Sequence, residues 1–461
     1  APLKAMLTTP SCVPAVTGFD DSGSYVDAAQ VAETMKWDDV VGLGEMMNFP
    51  GILGGEENAQ HEVGETLKAG KCVTGHYSIS ETDRGLNAYI ASGVRACHEC
   101  ITADDVMAKL RMGMYVQARY GSAWLSLPNY LPQVLESGVD TRLILLCTDD
   151  NHPNTLVNEG GMDRALRAVL ECGCDPVTAL QFATINAAQC LGVDQDMGSI
   201  TPGKCADMVI LPDLETFIPE QVYIDGDLVA QDGKATFDHD LFEWPEFMTH
   251  TMNVGRTFTA ADFEIPVDRP DGMCRVRAIG GVGGSTITED AVIEVPVVDG
   301  KLQANPAIDA LKMAVFDRHH GAEGTHSFGF CTGFGVHGAL AQTVAHDSHN
   351  LLVVGDNDED MALAAQTLVE CGGGEVAVQD GRVLALVELP VCGLMSDKHV
   401  EEVAQEVAAI EQAWSDMGCK MPSPFMTMGI LSLPCVPVLR LTNRGYVNCL
   451  TFQFEDLLVE E

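Results

Sequence analysis

Apolar runs that end abruptly in metal-binding side chains punctuate the first third of the chain. Four recur: VVGLGEMMN (40–48), KCVTGHYS (71–78), GVRACHEC (93–100) and LILLCTDDNHP (143–153). Short, nearly continuous apolar runs of this kind read as strands buried on both faces. Each delivers one candidate ligand at its end: Glu45, His76, His98 and Asp149. Helical patterns fill the intervals from residue 40 to about 191, which predicts βα units on a parallel sheet. Glu45 to His76 is 31 residues and His76 to His98 is 22, one unit each. The 51 residues from His98 to Asp149 leave room for two, with GMYVQARYGSA (113–123) as the strand between. Parallel strands carry their C-terminal side chains to one rim, where several N and O donors converge on a divalent ion.

If Asp149 ends the last of eight strands, Glu45 ends the fourth, and one further strand candidate (3–12) precedes it. The expected fold class is therefore α/β: a (β/α)8 metal-dependent hydrolase barrel over 1–197, holding its C-terminal six βα units and lacking the first strands. Residues 162–193 read as two amphipathic helices broken at Gly173 and Pro176. Short strands separated by Gly, Pro and Asp turns predict a small β-domain over 198–240, and 241–272 reads as a connector. A C-terminal α+β domain is expected over 273–461, with strands AVIEVPVVDG, LLVVGD and EVAVQDGRVLALVELP and a long helix at 397–417.

Composition narrows the partners. A net charge of −41 opposes binding to nucleic acid, which needs clustered Lys and Arg. The acids are dispersed, as on a solvated anionic surface. No run of 18 apolar residues predicts a membrane span, and the first residues do not read as a secretory signal. Many of the 16 cysteines sit inside apolar runs, where a free thiol acts as a small hydrophobe, and this points to a reducing cytoplasm. CHEC (97–100) has no second CxxC at zinc-ribbon spacing, and it lacks the order and the proline of a cytidine-deaminase signature.

On pattern alone each candidate has an ordinary reading beside the chemical one. Glu45 reads as well as a strand-terminal acid reaching solvent, and His76 and His98 as satisfied core or surface imidazoles. Asp149 and Asp150 read as a helix cap and its neighbour, Met46 and Met47 as core filler, and Ser122 as a turn residue. RHHG (318–321) and AHDSHN (345–350) group His319, His320, His346, Asp347 and His349 near Gly-rich turns. That density suits a metal or interdomain role as well as a stabilised turn.

GLGEMMN, GHYS, HECIT, KLRMGMYVQARYGSA and CTDDNHP, in that order, resemble the barrel blocks of the bacterial adenine deaminase family within the amidohydrolase superfamily. ALQFATINAAQCLGV with GSITPGKCADMVIL resembles the superfamily's closing helices and return to its small β-domain. KMAVFDRHHG, GFGVHGALAQTVAHDSHNLLVVGDNDEDMALA, GLMSDK and PSPFMTMGILSLP resemble the family's own tail. The resemblance implies that Glu45 bridges two metal ions and that His76 and His98 complete the more exposed one. It implies that Asp149 binds metal weakly and moves the proton of the attacking water. Met46, Asn48, Ser122, Asp150 and His152 are the expected substrate contacts, and Arg84 to Asn87 an expected loop over the site.

The expected reaction is hydrolytic deamination of adenine to hypoxanthine and ammonia, through a metal-bound hydroxide, in cytoplasmic purine salvage. Mn2+ or Fe2+ is the expected metal, with Zn2+ accommodated by the same donors. A homo-oligomer is expected. One departure stands out: none of the 13 histidines forms the H-x-H pair that amidohydrolases carry on their first barrel strand. Either a separate chain supplies those strands, or the chain is a fragment or a noncatalytic subunit. Dihydroorotase-like and deacetylase-like enzymes would share the barrel but not the tail.

Overall fold

A computed structural model describes residues 3–237, 242–280, 286–421 and 423–460. The chain divides into two compact units. The first comprises Ala1–Cys12, Val26–Asn151 and Asn158–Asp240, and the second comprises Val13–Tyr25, His152–Val157 and Leu241–Glu461.

The first unit is built on six strands: β1 (Leu7–Thr9), β2 (Val40–Met46), β3 (Cys72–Gly75), β4 (Ala96–Cys97), β5 (Tyr115–Arg119) and β6 (Ile144–Cys147). They lie side by side in chain order, every neighbouring pair parallel. The four apolar runs and the two further candidates, 3–12 before them and 113–123 between the third and fourth, therefore all contribute strands to one sheet. Side-chain alternation divides its faces. Val73 packs with Leu43, Val40 and the helix residues Val63, Leu86 and Tyr89. Val116, Ala118, Ile144 and Leu146 pack against helix residues Tyr130, Leu131, Val134, Ala165 and Val169. The alternate positions Cys72, Ala96, Tyr115 and Leu145 gather separately with Cys190.

Arg84 to Asn87 is not a loop. These residues open the helix Arg84–Ala91, which buries Leu86 and Tyr89. The stretch after Pro176 is also two helices, not one: Pro176–Ala183 and Ile185–Leu191. Thr184 leaves helical geometry between them (φ −126°, ψ −94°). Asn186 is thereby placed to donate to the carbonyls of Thr141 and Ile144, at 3.2 and 2.7 Å, tying the second helix to the start of β6. A four-stranded antiparallel sheet follows, from Met208–Ile210 through Gln221–Ile224 and Asp227–Gln231 to Lys234–Ala235.

The second unit centres on a ten-stranded, largely antiparallel sheet. Its strand Leu311–Phe316 is buried along its whole length because a helix covers each face. Met313 and Val315 pack with Val403, Val407, Ile410 and Trp414 of the helix Val400–Asp416. Ala314 and Phe316 pack with Met361, Ala364, Ala365 and Leu368 of the helix Asp358–Cys371. Residues read as a connector join this core: Val254, Phe258 and Phe263 pack with the second helix, and Ile265–Pro266 pairs with Lys301–Leu302 at the sheet edge. The early segment Val13–Tyr25 is held by late residues. Ser348 donates to Asp20, Asn443 donates to Asp21 at 2.7 Å, and Arg444 donates to Asp21 at 2.7 Å.

Candidate metal centre

Register brings the ligands to one level. Gly75 lies opposite both Met46 and Cys97, and Cys97 lies opposite Val116. His76 and His98 therefore follow their strands at the same height, beside the C-terminal end of β2 that carries Glu45. Arg119 pairs with Cys147, two residues before Asp149. The ends of β2 to β6 thus carry Glu45, His76, His98, Glu99, Arg119 and Asp149.

The distances are those of a ligand cluster. His98 Nε2 lies 3.0 Å from Glu45 Oε2 and 3.9 Å from Asp149 Oδ2. The His76 and His98 rings meet edge-on, with centroids 4.9 Å apart. One ligating atom each from Glu45, His76 and His98 lies within 4.8 Å of the others, and the same holds for His98, Glu99 and Asp149. Among the described residues these are the only two such groups.

Electrostatics suit a cation. Burial pushes both imidazoles below their ordinary pKa, so they are neutral donors at pH 7. His76 Nδ1 is buried and finds no hydrogen-bond partner. Burial would raise Glu99, but His76, Arg119 and His98 outweigh it and hold the carboxyl down at about 2. Asp149 sits with φ 61°, a left-handed conformation that Asp tolerates better than most residues.

Three residues of this site escape pattern reading. Glu99 is hidden as the neighbour of His98, and it accepts from Arg119. Arg119 ends an otherwise ordinary strand, and a charged residue closing YVQAR was the available signal. Tyr89 comes from a helix: its hydroxyl donates to the Met46 carbonyl at 2.5 Å and accepts the His76 amide at 3.0 Å. It thus pins the ends of β2 and β3 together. A Cβ on Gly75 would run into that hydroxyl and into Val94.

The expected substrate contacts separate. Met46 is fully buried in the apolar core of the first unit, so it is filler rather than a cleft residue. Asn48 caps the helix Phe49–Gly54, its side chain accepting the Gly51 amide at 2.9 Å. Asp150 is buried and accepts the amides of Ser122 (2.8 Å) and Ala123, which shapes the turn after β5. His152 belongs to the second unit, where its Nδ1 lies 3.5 Å from Glu411 Oε1.

The tail histidines also lie in the second unit and make no cluster of three ligating atoms among the described residues. His319 Nε2 lies 2.8 Å from the Ser348 carbonyl, His320 Nδ1 2.7 Å from Asp317, and His346 Nδ1 3.2 Å from Asp347. His349 takes a left-handed φ of 50°. Its carbonyl accepts Nε of the buried Arg318 at 2.5 Å. They order a turn.

Residues 128–229 match the amidohydrolase family, and residues 285–453 match the adenine deaminase C-terminal domain. A parallel sheet with an imidazole and carboxylate rim, matched in this way, defines an amidohydrolase, a class that implies a divalent metal. An adenine deaminase from Clostridium botulinum (strain 657 / Type Ba4) is 52% identical over 461 residues, 100% of this chain and 77% of the relative. One from Moorella thermoacetica is 45% identical over 99% of this chain and 77% of its own length. One from Mesorhizobium japonicum is 38% identical over 99% and 76%. The chain belongs to the adenine deaminase family, and spans about three quarters of the length of these relatives. No described helix is long and apolar enough to cross a membrane.

Proposed function

We propose that Glu45, His76 and His98 hold a divalent ion and that Asp149 serves it as proton carrier in the hydrolysis of adenine to hypoxanthine and ammonia. The carrying observation is the cluster itself: three ligating atoms within 4.8 Å, two of them on neutral imidazoles, with Asp149 3.9 Å from His98. The donor set fits the metal, since two nitrogens and a carboxylate suit Mn2+, Fe2+ or Zn2+. Bound there, such an ion lowers the pKa of a coordinated water towards neutrality.

The chain's own residues do the rest. Asp149 takes a proton from the water that attacks C6 of the purine and returns it to the departing amine. Tyr89 fixes the two ligand-bearing strand ends, and Asp150 holds the turn of Ser122 near the rim. We take the six parallel strands as consecutive members of an eight-stranded barrel over 1–197. The remaining segments, 198–240, 241–272 and 273–461, are read as a small β-domain, its connector and the family's C-terminal domain. A binuclear centre, a homo-oligomer and a cytoplasmic role in purine salvage belong to the same reading.

Metal analysis with an ammonia-release assay on adenine decides. Turnover with stoichiometric divalent metal supports this reading, whereas protein that binds no divalent metal at Glu45, His76 and His98 counts against it.

A further inference from the structure

Cys72 is the first residue of β3, and Cys190 is the last but one of the helix Ile185–Leu191. Far apart in sequence, the two thiols pack in one buried cluster and are hydrogen-bonded to each other. Both also line a cavity of about 260 Å³, together with Leu67, Ile90, Lys71 and Arg95. Cys72 is 6% exposed and Cys190 1%, so only a small reagent entering by that cavity reaches them. Arg95 Nη2 donates to the Gln189 carbonyl at 3.0 Å, which seats a guanidinium beside the residue preceding Cys190. The hydrogen bond from Cys190, then the Arg95 charge, hold the Cys72 thiol below its ordinary pKa against the cost of burial. Cys190, whose proton that bond engages, is pushed up. One thiol is thus prepared as a nucleophile with a second in reach of it.

We propose that Cys72 and Cys190 form a modification site for hydrogen peroxide, in which Cys72 is oxidised and Cys190 resolves it into a disulfide. The Cys72 thiolate attacks one peroxide oxygen. An S–O bond forms, the O–O bond breaks, and the departing hydroxide takes up a proton as water. The Cys190 sulfur then attacks the Cys72 sulfur. An S–S bond forms, the S–O bond breaks, and hydroxide leaves with the Cys190 proton as a second water. Two electrons pass from the paired sulfurs to the peroxide. The bond staples the helix Ile185–Leu191 to the start of β3, whose other end leads to His76. It requires nothing of the deaminase reading.

The test treats the Mn2+-loaded chain with one equivalent of hydrogen peroxide and blocks the remaining thiols with N-ethylmaleimide. Peptides are then mapped by mass spectrometry without reduction. The expected product joins the Cys72 and Cys190 peptides, and dithiothreitol restores both thiols. Cys190→Ser should stop at a sulfenic acid on Cys72, trapped with dimedone. Cys72→Ser should leave Cys190 open to N-ethylmaleimide, because the attacking sulfur is gone. Should either variant fail to fold, the map of the wild type decides. Three results overturn the proposal: both thiols blocked by N-ethylmaleimide after peroxide, a first disulfide between other cysteines, or dimedone on Cys190 in folded Cys72→Ser.

Discussion

In the proposed centre single side chains divide into those that would hold the cation and one that would move the proton, and substitution should separate the two. His98 stands nearest the centre, 3.0 Å from Glu45 and 3.9 Å from Asp149. His98→Ala should abolish stoichiometric divalent metal, read by elemental analysis of the purified protein. Asp149→Asn should keep the metal, because Glu45, His76 and His98 are intact, yet lose roughly 10²- to 10⁴-fold in kcat. Retained turnover in the Asp149 variant would remove the proton-transfer role. Retained metal in the His98 variant would remove the ligand set.

At the level of elements, the site depends on strand ends kept in register, and Tyr89 is the fastener. Tyr89→Phe leaves the Met46 carbonyl and the His76 amide without that partner inside the protein. The expected cost is about 1–3 kcal/mol in denaturant unfolding, with metal affinity reduced about 10- to 100-fold through the displaced His76. Unchanged metal affinity would show that β2 and β3 hold their spacing alone. The strands and the four side chains that gather at their rim were legible in sequence because a parallel sheet buried on both faces writes itself as apolar runs, and its rim follows each run. Tyr89, Glu99 and Arg119 were not, because their contacts join positions 13 to 43 residues apart that no periodicity links. Met46 misled for a related reason: a strand-end methionine looks the same whether it lines a cleft or fills a core, and only packing distinguishes them.

On the scale of the whole molecule, the second unit carries its own acid sensitivity. Burial drives His319 down to about 4 and His349 to about 3. Both are neutral in the folded state, while the unfolded chain protonates near 6.5, so stability is full above that pH and is lost as pH falls below it. At about pH 5 each should cost about 2 kcal/mol. A fall in melting temperature between pH 7 and 5, lessened in His349→Gln, would show it; a flat profile would refute it. Trp414, buried between the sheet and its helix, should cost about 3–5 kcal/mol when cut to Ala, read by urea unfolding.

The hold of Asn443 and Arg444 on Asp21 also sets a timetable for biosynthesis. Asp21 and Asn443 are 422 residues apart in sequence. At about 5–20 residues per second the ribosome therefore releases the segment 13–25 roughly 20–80 s before its anchors exist. Until then it must wait, lying in sequence between β1 and β2 of the parallel sheet. A nascent chain stalled anywhere before residue 443 is a chain whose early acids have nowhere to dock, and it is there that quality control should find it.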